Sequence, residues 1–253
     1  MELRGQAALV TGGGSGLGAA TCEALAATGA KVAVLDRNED AARTVAARVG
    51  GIAVPCDVAE SASAEAAVAA ARAAHGPARL LVNCAGIGNA GRILGRDGPL
   101  ALSAFEQVIR VNLIGTFNML RLAAADMAGL DPLGDDERGI VVNTASIAAY
   151  EGQVGQAAYA ASKAGVVGLT LPAAREFARV GIRVVTIAPG LIETPMFNGL
   201  PDEVRRGLAA SVPFPSRLGL PAEYAALVLH IAANRFLNGE TIRLDGALRM
   251  APR

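Results

Sequence analysis

Short apolar runs alternate with alanine-rich segments along the 253-residue chain, and this alternation limits the possible folds more than any other feature. The apolar runs are rich in Val, Ile and Leu, as are strands that are buried on both faces. Several of the intervening segments have the length and composition of helices. The predicted strands are residues 7–11, 31–35, 52–56, 80–82, 140–143, 182–188 and 241–244. Strands that alternate with helices predict an α/β fold, here a doubly wound, seven-stranded parallel sheet with helices on both faces.

The composition predicts a single domain that binds neither nucleic acid nor membrane. No proline-rich tract, charge block or repeat divides residues 1–253. The formal net charge is zero and aromatic residues make up 4% of the chain, so a basic face with stacking rings is not expected. No apolar run approaches the length of a membrane span, and the first five residues leave no room for a signal peptide before the first strand. The expected location is therefore the cytoplasm.

The cysteines and histidines do not indicate a metal site or a nucleophile. Cys22, Cys56 and Cys84 are far apart and lack a metal-type spacing, which indicates reduced packing residues. His75 stands at the predicted end of a helix, just before a Gly-Pro pair, and His230 lies within the last predicted helix. We expect neither histidine to take part in the chemistry.

A glycine-rich loop separates the first predicted strand from the first helix. Read as T-G-x-x-x-G-x-G, it places glycine at positions 12, 16 and 18. Ser15 directly precedes Gly16, and Leu17 lies between Gly16 and Gly18. Glycine lets the backbone approach a pyrophosphate, and a helix N-terminus offers free N–H groups and the positive end of its dipole. The strand–loop–helix context therefore predicts a dinucleotide site and a Rossmann-type sheet.

Asp36 ends the second predicted strand, eighteen residues after Gly18. A carboxylate at this position accepts hydrogen bonds from the ribose hydroxyls of a dinucleotide and repels a 2′-phosphate. The sequence thus favours NAD as the cofactor. Arg37 follows directly and has the charge to pair with a 2′-phosphate, so NADP stays open as an alternative.

Later strands are expected to supply the remaining cofactor contacts at their carboxyl ends, where ligands bind in such sheets. Asp57 and Val58 follow the third strand, on the side where an adenine would lie, and small residues after the fourth would admit the nicotinamide ribose. The cofactor-binding residues predicted in this way are Gly12, Ser15, Gly16, Leu17, Gly18, Asp36, Asp57, Val58, Asn83, Ala85, Gly86, Pro189 and Gly190.

The candidate catalytic residues are Ser146, Tyr159 and Lys163. Tyr159 and Lys163 are four residues apart in a predicted helix over residues 156–180, so they share one face. A neighbouring cation favours phenolate over phenol, and we therefore expect a lowered pKa for Tyr159 and proton exchange with an alcohol or alkoxide. Ser146 would hold the same substrate oxygen. A lone Tyr-x-x-x-Lys pair often arises by chance, so the hypothesis depends on the cofactor half of the site.

Two further features have a structural and a functional interpretation. Asn112, within the string V-N-L-I-G of a segment with helical periodicity, is either a buried core amide or a functional residue. Residues 191–214 contain several prolines and apolar side chains, a composition typical of a lid over a pocket.

Taken in order, T-G-x-x-x-G-x-G, N-C-A-G, Asn112, Ser146, Y-x-x-x-K and Pro189-Gly190 resemble the short-chain dehydrogenase/reductase superfamily over the full length of the chain. The resemblance implies an oxidoreductase with a catalytic tetrad of Asn112, Ser146, Tyr159 and Lys163. In this tetrad Tyr159 is the acid and base, Ser146 orients the substrate oxygen, Lys163 binds the nicotinamide ribose and tunes Tyr159, and Asn112 holds a proton-relay water.

The resemblance also implies contacts and an assembly that the residues alone do not indicate. Tyr159, Lys163 and Thr194 join the cofactor-binding residues, with Thr194 bonding the nicotinamide carboxamide. A homotetramer is implied, with the final helix and strand at one interface.

Strings such as VNCAGI, EGQVGQAAY, VPFPSRLG and IRLDGA are similar to a narrower group, the type II 3-hydroxyacyl-CoA dehydrogenases. This similarity implies NAD-dependent interconversion of 3-hydroxyacyl-CoA and 3-oxoacyl-CoA, with Ser146, Gln153 and Tyr159 facing the substrate. Two departures from that group are the loop over residues 91–104, where Arg92 and Arg96 stand in place of lysines, and a tyrosine in place of phenylalanine at position 150.

Three alternative functions stay open. One is an NADPH-linked 3-oxoacyl reductase, which Asp36 disfavours, and another is a dehydrogenase of steroids or other secondary alcohols. The third is a non-catalytic cofactor-binding scaffold. A scaffold would be expected to lose Tyr159 or Lys163, and this chain retains both.

Overall fold

The structure, a computed structural model, describes residues 1–96, 98–195 and 201–252. Its main sheet contains seven parallel strands in the order β3-β2-β1-β4-β7-β8-β9. These strands are β1 (Ala7–Thr11), β2 (Lys31–Asp36), β3 (Ile52–Pro55), β4 (Leu80–Asn83), β7 (Gly139–Thr144), β8 (Ile182–Pro189) and β9 (Thr241–Leu244). Two short antiparallel strands, β5 (Leu94–Gly95) and β6 (Gly98–Pro99), form a separate hairpin in the loop after β4. The predicted seven-stranded, doubly wound parallel sheet is confirmed.

Helices cover both faces of the sheet, because alternate strand residues point to opposite sides. On one face, Leu9, Leu81 and Val141 pack with α3, α5 and α6, and on the other, Val10 and Val82 pack with α1, α2 and α8. The helices are α1 (Gly16–Ala27), α2 (Glu39–Val49), α3 (Ser61–His75), α4 (Leu102–Ile109), α5 (Gly115–Ala128), α6 (Ala157–Ala178), α7 (Asp202–Ala210) and α8 (Pro221–Ala233). Each fully buried Val or Leu contributes about 1.5–3 kcal/mol to folding. The two packed faces therefore hold the sheet edge where the predicted site lies.

The strand order reverses between β1 and β4, and this reversal places the predicted site residues at one edge. The last residues of neighbouring strands stand side by side, with Thr11 opposite Leu35 and Asn83, and Asn83 opposite Asn143. In open α/β sheets, a crevice for ligands forms outside the carboxyl ends of the strands at such a reversal.

One helical segment is longer than the sequence pattern indicated. A π-helical turn, Arg110–Ile114, joins α4 to α5 without a break, giving a helix over Leu102–Ala128. By length and composition alone, this is the one helix among the described residues that is long and apolar enough to cross a membrane, so the expectation of no such segment is wrong. Half of its most apolar window is buried, and Met119 and Leu120 pack against the sheet.

The predicted lid lies only in part within the described residues. Residues 196–200 are outside them, whereas the rest of the segment over residues 191–214 contains α7, a helix that the sequence pattern did not indicate. Leu191, Ile192 and Leu208 from this segment line the main cleft. Movement of the segment as a lid stays a prediction.

Candidate active site

A cleft of about 810 Å³ opens at the carboxyl ends of the strands, where the order reverses. Nearly all of the predicted site residues contribute to its lining, and Asn83 and Asn112 lie behind it. The predicted residues in the lining are Gly12, Ser15, Gly16, Leu17, Gly18, Asp36, Asp57, Val58, Ala85, Gly86, Ser146, Gln153, Tyr159, Lys163, Pro189, Gly190 and Thr194. The fold thus collects residues from most of the chain in one cavity.

The glycine-rich loop packs too closely for larger residues, at Gly12 against the loop after β4 and at Gly18 against its own backbone. Gly12 has a φ of +63°, and a Cβ atom there would stand 2.8 Å from the Cα atom of Ala85. At Gly18, a Cβ atom would stand 2.9 Å from the Cα atom of Gly13. Ser15, at the N-cap of α1, makes no side-chain cap hydrogen bond within the described structure. The first turn of α1 therefore presents backbone N–H groups to the cleft, which fits the pyrophosphate of a dinucleotide.

The Asp36 carboxylate is held by two backbone amides. One oxygen accepts a hydrogen bond from Gly14 N at 3.0 Å and the other accepts one from Asn38 N at 2.9 Å. Each oxygen keeps a second acceptor site, as two ribose hydroxyls require. Arg37 is exposed and also lines the cleft. The residues present fit the adenosine half of NAD.

The residues after β3 and β4 differ in their relation to the cleft. The Asp57 carboxylate accepts a hydrogen bond from Ala59 N at 3.0 Å, and this turn places Asp57 and Val58 in the lining. Asn83 instead points its side chain into the sheet, where its amide donates to the Asn143 side chain at 3.0 Å. The side chain of Asn83 therefore ties β4 to β7, and its predicted contact with the cofactor stays a prediction.

Tyr159 and Lys163 project from the first turns of α6 into the cleft, on one face as predicted. The Lys163 ammonium lies 5.8 Å from the centre of the Tyr159 ring and donates a hydrogen bond to the Thr144 carbonyl at 2.7 Å. Burial of Lys163 lowers the pKa of its ammonium from 10.5 to about 8. The Ser146 hydroxyl accepts a hydrogen bond from Ala148 N at 3.1 Å, which holds its oxygen at the cleft wall.

The expected lowering of the Tyr159 pKa is wrong. Burial raises the pKa of the phenol above its usual 10.0, and the neighbouring Ser146 hydroxyl only partly opposes this effect. At neutral pH, Tyr159 is accordingly a phenol with a proton to donate.

Asn112 is fully buried in the π-helical turn, and all of its side-chain groups have partners. Its oxygen accepts from Ile87 N at 2.8 Å, and its nitrogen donates to Ile87 O at 2.9 Å and to the Ser162 hydroxyl at 3.0 Å. Ser162 in turn donates to the Tyr159 carbonyl at 2.7 Å. Asn112 therefore ties the loop after β4 to the helix that carries Tyr159. Its predicted relay water stays a prediction.

Thr144, in the lining of the cleft, and Tyr224, behind it, were not identified as site residues from the sequence. The Thr144 hydroxyl lies 2.6 Å from the Asn83 carbonyl and 2.7 Å from the hydroxyl of Tyr224, a fully buried residue of α8. Thr144 is the residue whose carbonyl holds Lys163. Thr144 stands two residues before Ser146, a position that could have drawn attention to it, but Tyr224 lies 80 residues further along the chain and has no such local signal.

The described residues contain no group of three or more His, Cys, Asp or Glu that could hold a metal ion. His230 is exposed on α8 and His75 ends α3, and neither is part of the cleft lining. Thr194 and Pro195 lie next to Gly16 of the glycine-rich loop, where a Cβ atom would stand 3.4–3.5 Å from their side chains.

Comparison with known proteins identifies the family. The sequence model of the family described as short chain dehydrogenase matches residues 6–205. The chain belongs to this family. It is therefore an oxidoreductase, and the family assignment made from the motifs is confirmed.

The relatives are similar over almost the whole chain. The protein named 3-hydroxyacyl-CoA dehydrogenase type-2 from Bos taurus is 52% identical over 255 residues, which cover 99% of this chain and 98% of that protein. The protein of the same name from Homo sapiens is 50% identical with the same coverage. A crystal structure of 3-hydroxyacyl-CoA dehydrogenase type-2 from Mycobacterium avium matches with a TM-score of 0.94 and 44% identity, covering 98% of each chain.

Proposed function

We propose that this short chain dehydrogenase interconverts 3-hydroxyacyl-CoA and 3-oxoacyl-CoA with NAD as its cofactor. The observation that carries the proposal is the near-complete alignment, at 50% identity or more, with proteins named for that substrate. The cleft supports it, because one cavity holds a dinucleotide cradle beside Ser146, Tyr159 and Lys163.

The cofactor half of the cleft favours NAD. The first turn of α1 would hold the pyrophosphate, and Asp36 would accept hydrogen bonds from the ribose hydroxyls while repelling a 2′-phosphate. When bound, NAD exchanges a hydride with the substrate carbon.

The residues in the substrate half of the cleft transfer the proton. In reduction, the Tyr159 phenol donates its proton to the carbonyl oxygen, and in the reverse direction the resulting phenolate takes that proton back from the alcohol. The Ser146 hydroxyl donates a hydrogen bond to the same oxygen and orients it. Lys163, held by the Thr144 carbonyl at 2.7 Å, places positive charge beside the phenol ring and would donate a hydrogen bond to the nicotinamide ribose.

The test is a steady-state assay with acetoacetyl-CoA that compares NADH with NADPH. We expect turnover with a strong preference for NADH. Tyr159→Phe is expected to lower kcat at least 10²-fold, because general acid catalysis typically contributes that much. The matched control is Tyr150→Phe, since Tyr150 is exposed and its ring stacks on Arg243, outside the cleft lining.

Three outcomes would redirect the proposal. A preference for NADPH moves the assignment to a 3-oxoacyl reductase. Turnover of steroids or simple secondary alcohols, but not of acetoacetyl-CoA, moves it to the alcohol dehydrogenases. Full activity of Tyr159→Phe contradicts the assigned proton donor.

We also propose that the protein is a homotetramer that works in the cytoplasm, in fatty-acid metabolism. Support for an interface comes from β9, which ends the sheet, so its outer edge has no partner strand within the described residues. Phe236, just before β9, is 100% exposed. Light scattering of the purified protein tests the tetramer, and a monomeric mass would contradict it.

A further inference from the structure

The segment after β9 forms a wall of the substrate end of the cleft. We call residues 245–252 the C-terminal strap. Its Leu248 is buried in an apolar cluster with Ile147, which follows Ser146, and with Val212, which follows α7. Met250 packs at the edge of the same cluster and lines the cleft. The strap thus contacts both sides of the substrate end.

An ion pair clamps the strap to the loop that follows Ser146. Arg243, at the end of β9, binds both carboxylate oxygens of Glu151 at 2.7 and 3.0 Å. The same guanidinium donates to the Asp245 side chain at 2.6 Å and to the Leu248 carbonyl at 3.0 Å. Glu151 in turn accepts a hydrogen bond from Met250 N at 3.3 Å. The Glu151–Arg243 pair therefore holds the strap at Asp245, Leu248 and Met250, and its two side chains are about four-fifths buried at 21% and 22% exposure. The more exposed Arg249 of the strap adds weaker pairs with Glu151 at 3.4 Å and Asp245 at 3.3 Å.

Two further hydrogen bonds connect the strap to the residues that follow Glu151. Val154 N donates to the Pro252 carbonyl at 3.0 Å, and the Gln153 amide donates to the Ala251 carbonyl at 3.0 Å. Gln153 lines the cleft together with Met250. No hydrogen bond in the described structure joins the strap to Ser146, Tyr159 or Lys163. The strap is thus placed to shape the substrate cavity without touching the proton-transfer groups.

We propose that Met250 limits the length of acyl chain that the cleft accepts, and that the Glu151–Arg243 pair is the device that positions it. This inference rests on the proposed function. Methionine is apolar and unbranched, so its side chain contacts an acyl chain without leaving a polar group unpaired. Glu151 and Arg243 act only through Met250 and Gln153, and are positioning residues.

The first experiment changes the volume at position 250 in both directions. Met250→Ala is expected to raise kcat/KM for long 3-oxoacyl-CoA substrates relative to acetoacetyl-CoA by about tenfold, since a few methylenes in an apolar pocket discriminate to that extent. Met250→Phe is expected to shift the same ratio in the opposite direction. Both variants are assayed with NADH, whose KM should stay within about twofold of wild type.

The second experiment removes the clamp. Arg243→Gln is expected to raise KM for acyl-CoA about tenfold and to broaden the chain-length profile, with kcat and the KM for NADH little changed. Arg48→Gln is the matched control, because it breaks an exposed pair with Glu23 on the far side of the molecule from the strap. Thermal melting of each variant separates loss of folding from loss of positioning.

The outcomes distinguish this inference from the proposed function. An active Met250→Ala enzyme with an unchanged chain-length profile overturns the role of Met250 alone. Equal losses of kcat for all substrates in Arg243→Gln overturn the positioning role. Absence of acyl-CoA turnover in the wild-type protein overturns the proposed function, and this inference with it.

Discussion

At the scale of single residues, burial decides the charge states in the active site. The sequence places Tyr159 and Lys163 on one helical face and predicts that the lysine lowers the pKa of the phenol. In the structure, burial raises the pKa of Tyr159 and lowers that of Lys163 to about 8. Burial sets both directions, because the loss of hydration disfavours the charged form of each group.

The lowered pKa of Lys163 predicts how stability depends on pH. Between about pH 8 and 10.5 the unfolded chain binds the lysine proton more tightly than the folded protein does. Raising the pH across this window therefore favours the folded state. We expect the free energy of unfolding of the wild type, measured relative to Lys163→Met, to increase from pH 8 to pH 10.5, and denaturant unfolding at several pH values measures it.

The chain offers a matched control for this experiment. Lys31 is the only other lysine and is exposed at the start of β2. The free energy of unfolding of the wild type, measured relative to Lys31→Met, should not increase in this way from pH 8 to pH 10.5. Parallel pH profiles for the wild type and Lys163→Met would contradict the lowered pKa.

At the scale of elements, the close packing of the loop between β1 and α1 against the end of β4 determines the shape of the cofactor site. Gly12 and Gly50 have the same φ of +63°, yet they differ in their surroundings. A Cβ atom at Gly12 would stand 2.8 Å from the Ala85 backbone, whereas at Gly50 nothing lies within 4 Å. Alanine substitutions at these two glycines therefore separate the cost of backbone strain from the cost of steric contact.

We expect Gly50→Ala to cost about 1–2 kcal/mol of stability, the cost of a left-handed conformation for a residue with a side chain. Gly12→Ala should cost more, because it also displaces the backbone of Ala85, and it should weaken NAD binding at least tenfold. Thermal melting and titration calorimetry with NAD measure the two effects. Equal losses of stability in Gly12→Ala and Gly50→Ala would contradict this, because they would show that the loop moves away from the Ala85 backbone at little cost.

At the scale of the whole molecule, the far end of the sheet is held by a buried ion pair. Arg183, near the start of β8, binds Glu137 at 2.7 Å, and both side chains are less than a tenth exposed. The guanidinium also donates to the carbonyls of Ile231 and Leu237 at 2.9 Å, and so joins β8 to the end of α8. This cluster lies at the amino ends of the strands, opposite the cleft.

We expect Arg183→Met to lower the free energy of unfolding by about 3 kcal/mol, because Glu137 loses its nearest cation. Glu137 keeps the N-terminal ammonium of Met1 and Arg235, each at 3.3 Å, so its charge is still partly compensated. The variant that still folds should keep the wild-type kcat, since the pair lies away from the cleft. Arg43→Met is the control, as its exposed pair with Glu39 on α2 should contribute less than about 1 kcal/mol. A lower kcat of Arg183→Met without a lower stability would contradict the statement that this ion pair supports the fold and not the cleft.

Features that depend on neighbouring residues could be predicted from the sequence alone. The seven strands follow from local apolar runs, the cofactor loop from the spacing of Gly12, Gly16 and Gly18, and the shared face of Tyr159 and Lys163 from one helical turn. Shared strings extended this to the family, which the comparisons confirm. Each of these signals lies within a short stretch of chain, where propensity and periodicity act directly.

Features that depend on distant residues became visible only in the folded molecule. Tyr224 contacts Thr144, 80 residues away in the sequence, and Arg243 contacts Glu151, 92 residues away. No local pattern predicts either contact. The direction of the Tyr159 pKa shift and the inward side chain of Asn83 likewise follow from burial, a property of the assembled core. Spacing along the chain places groups on the same face, but packing determines how much water each of them keeps.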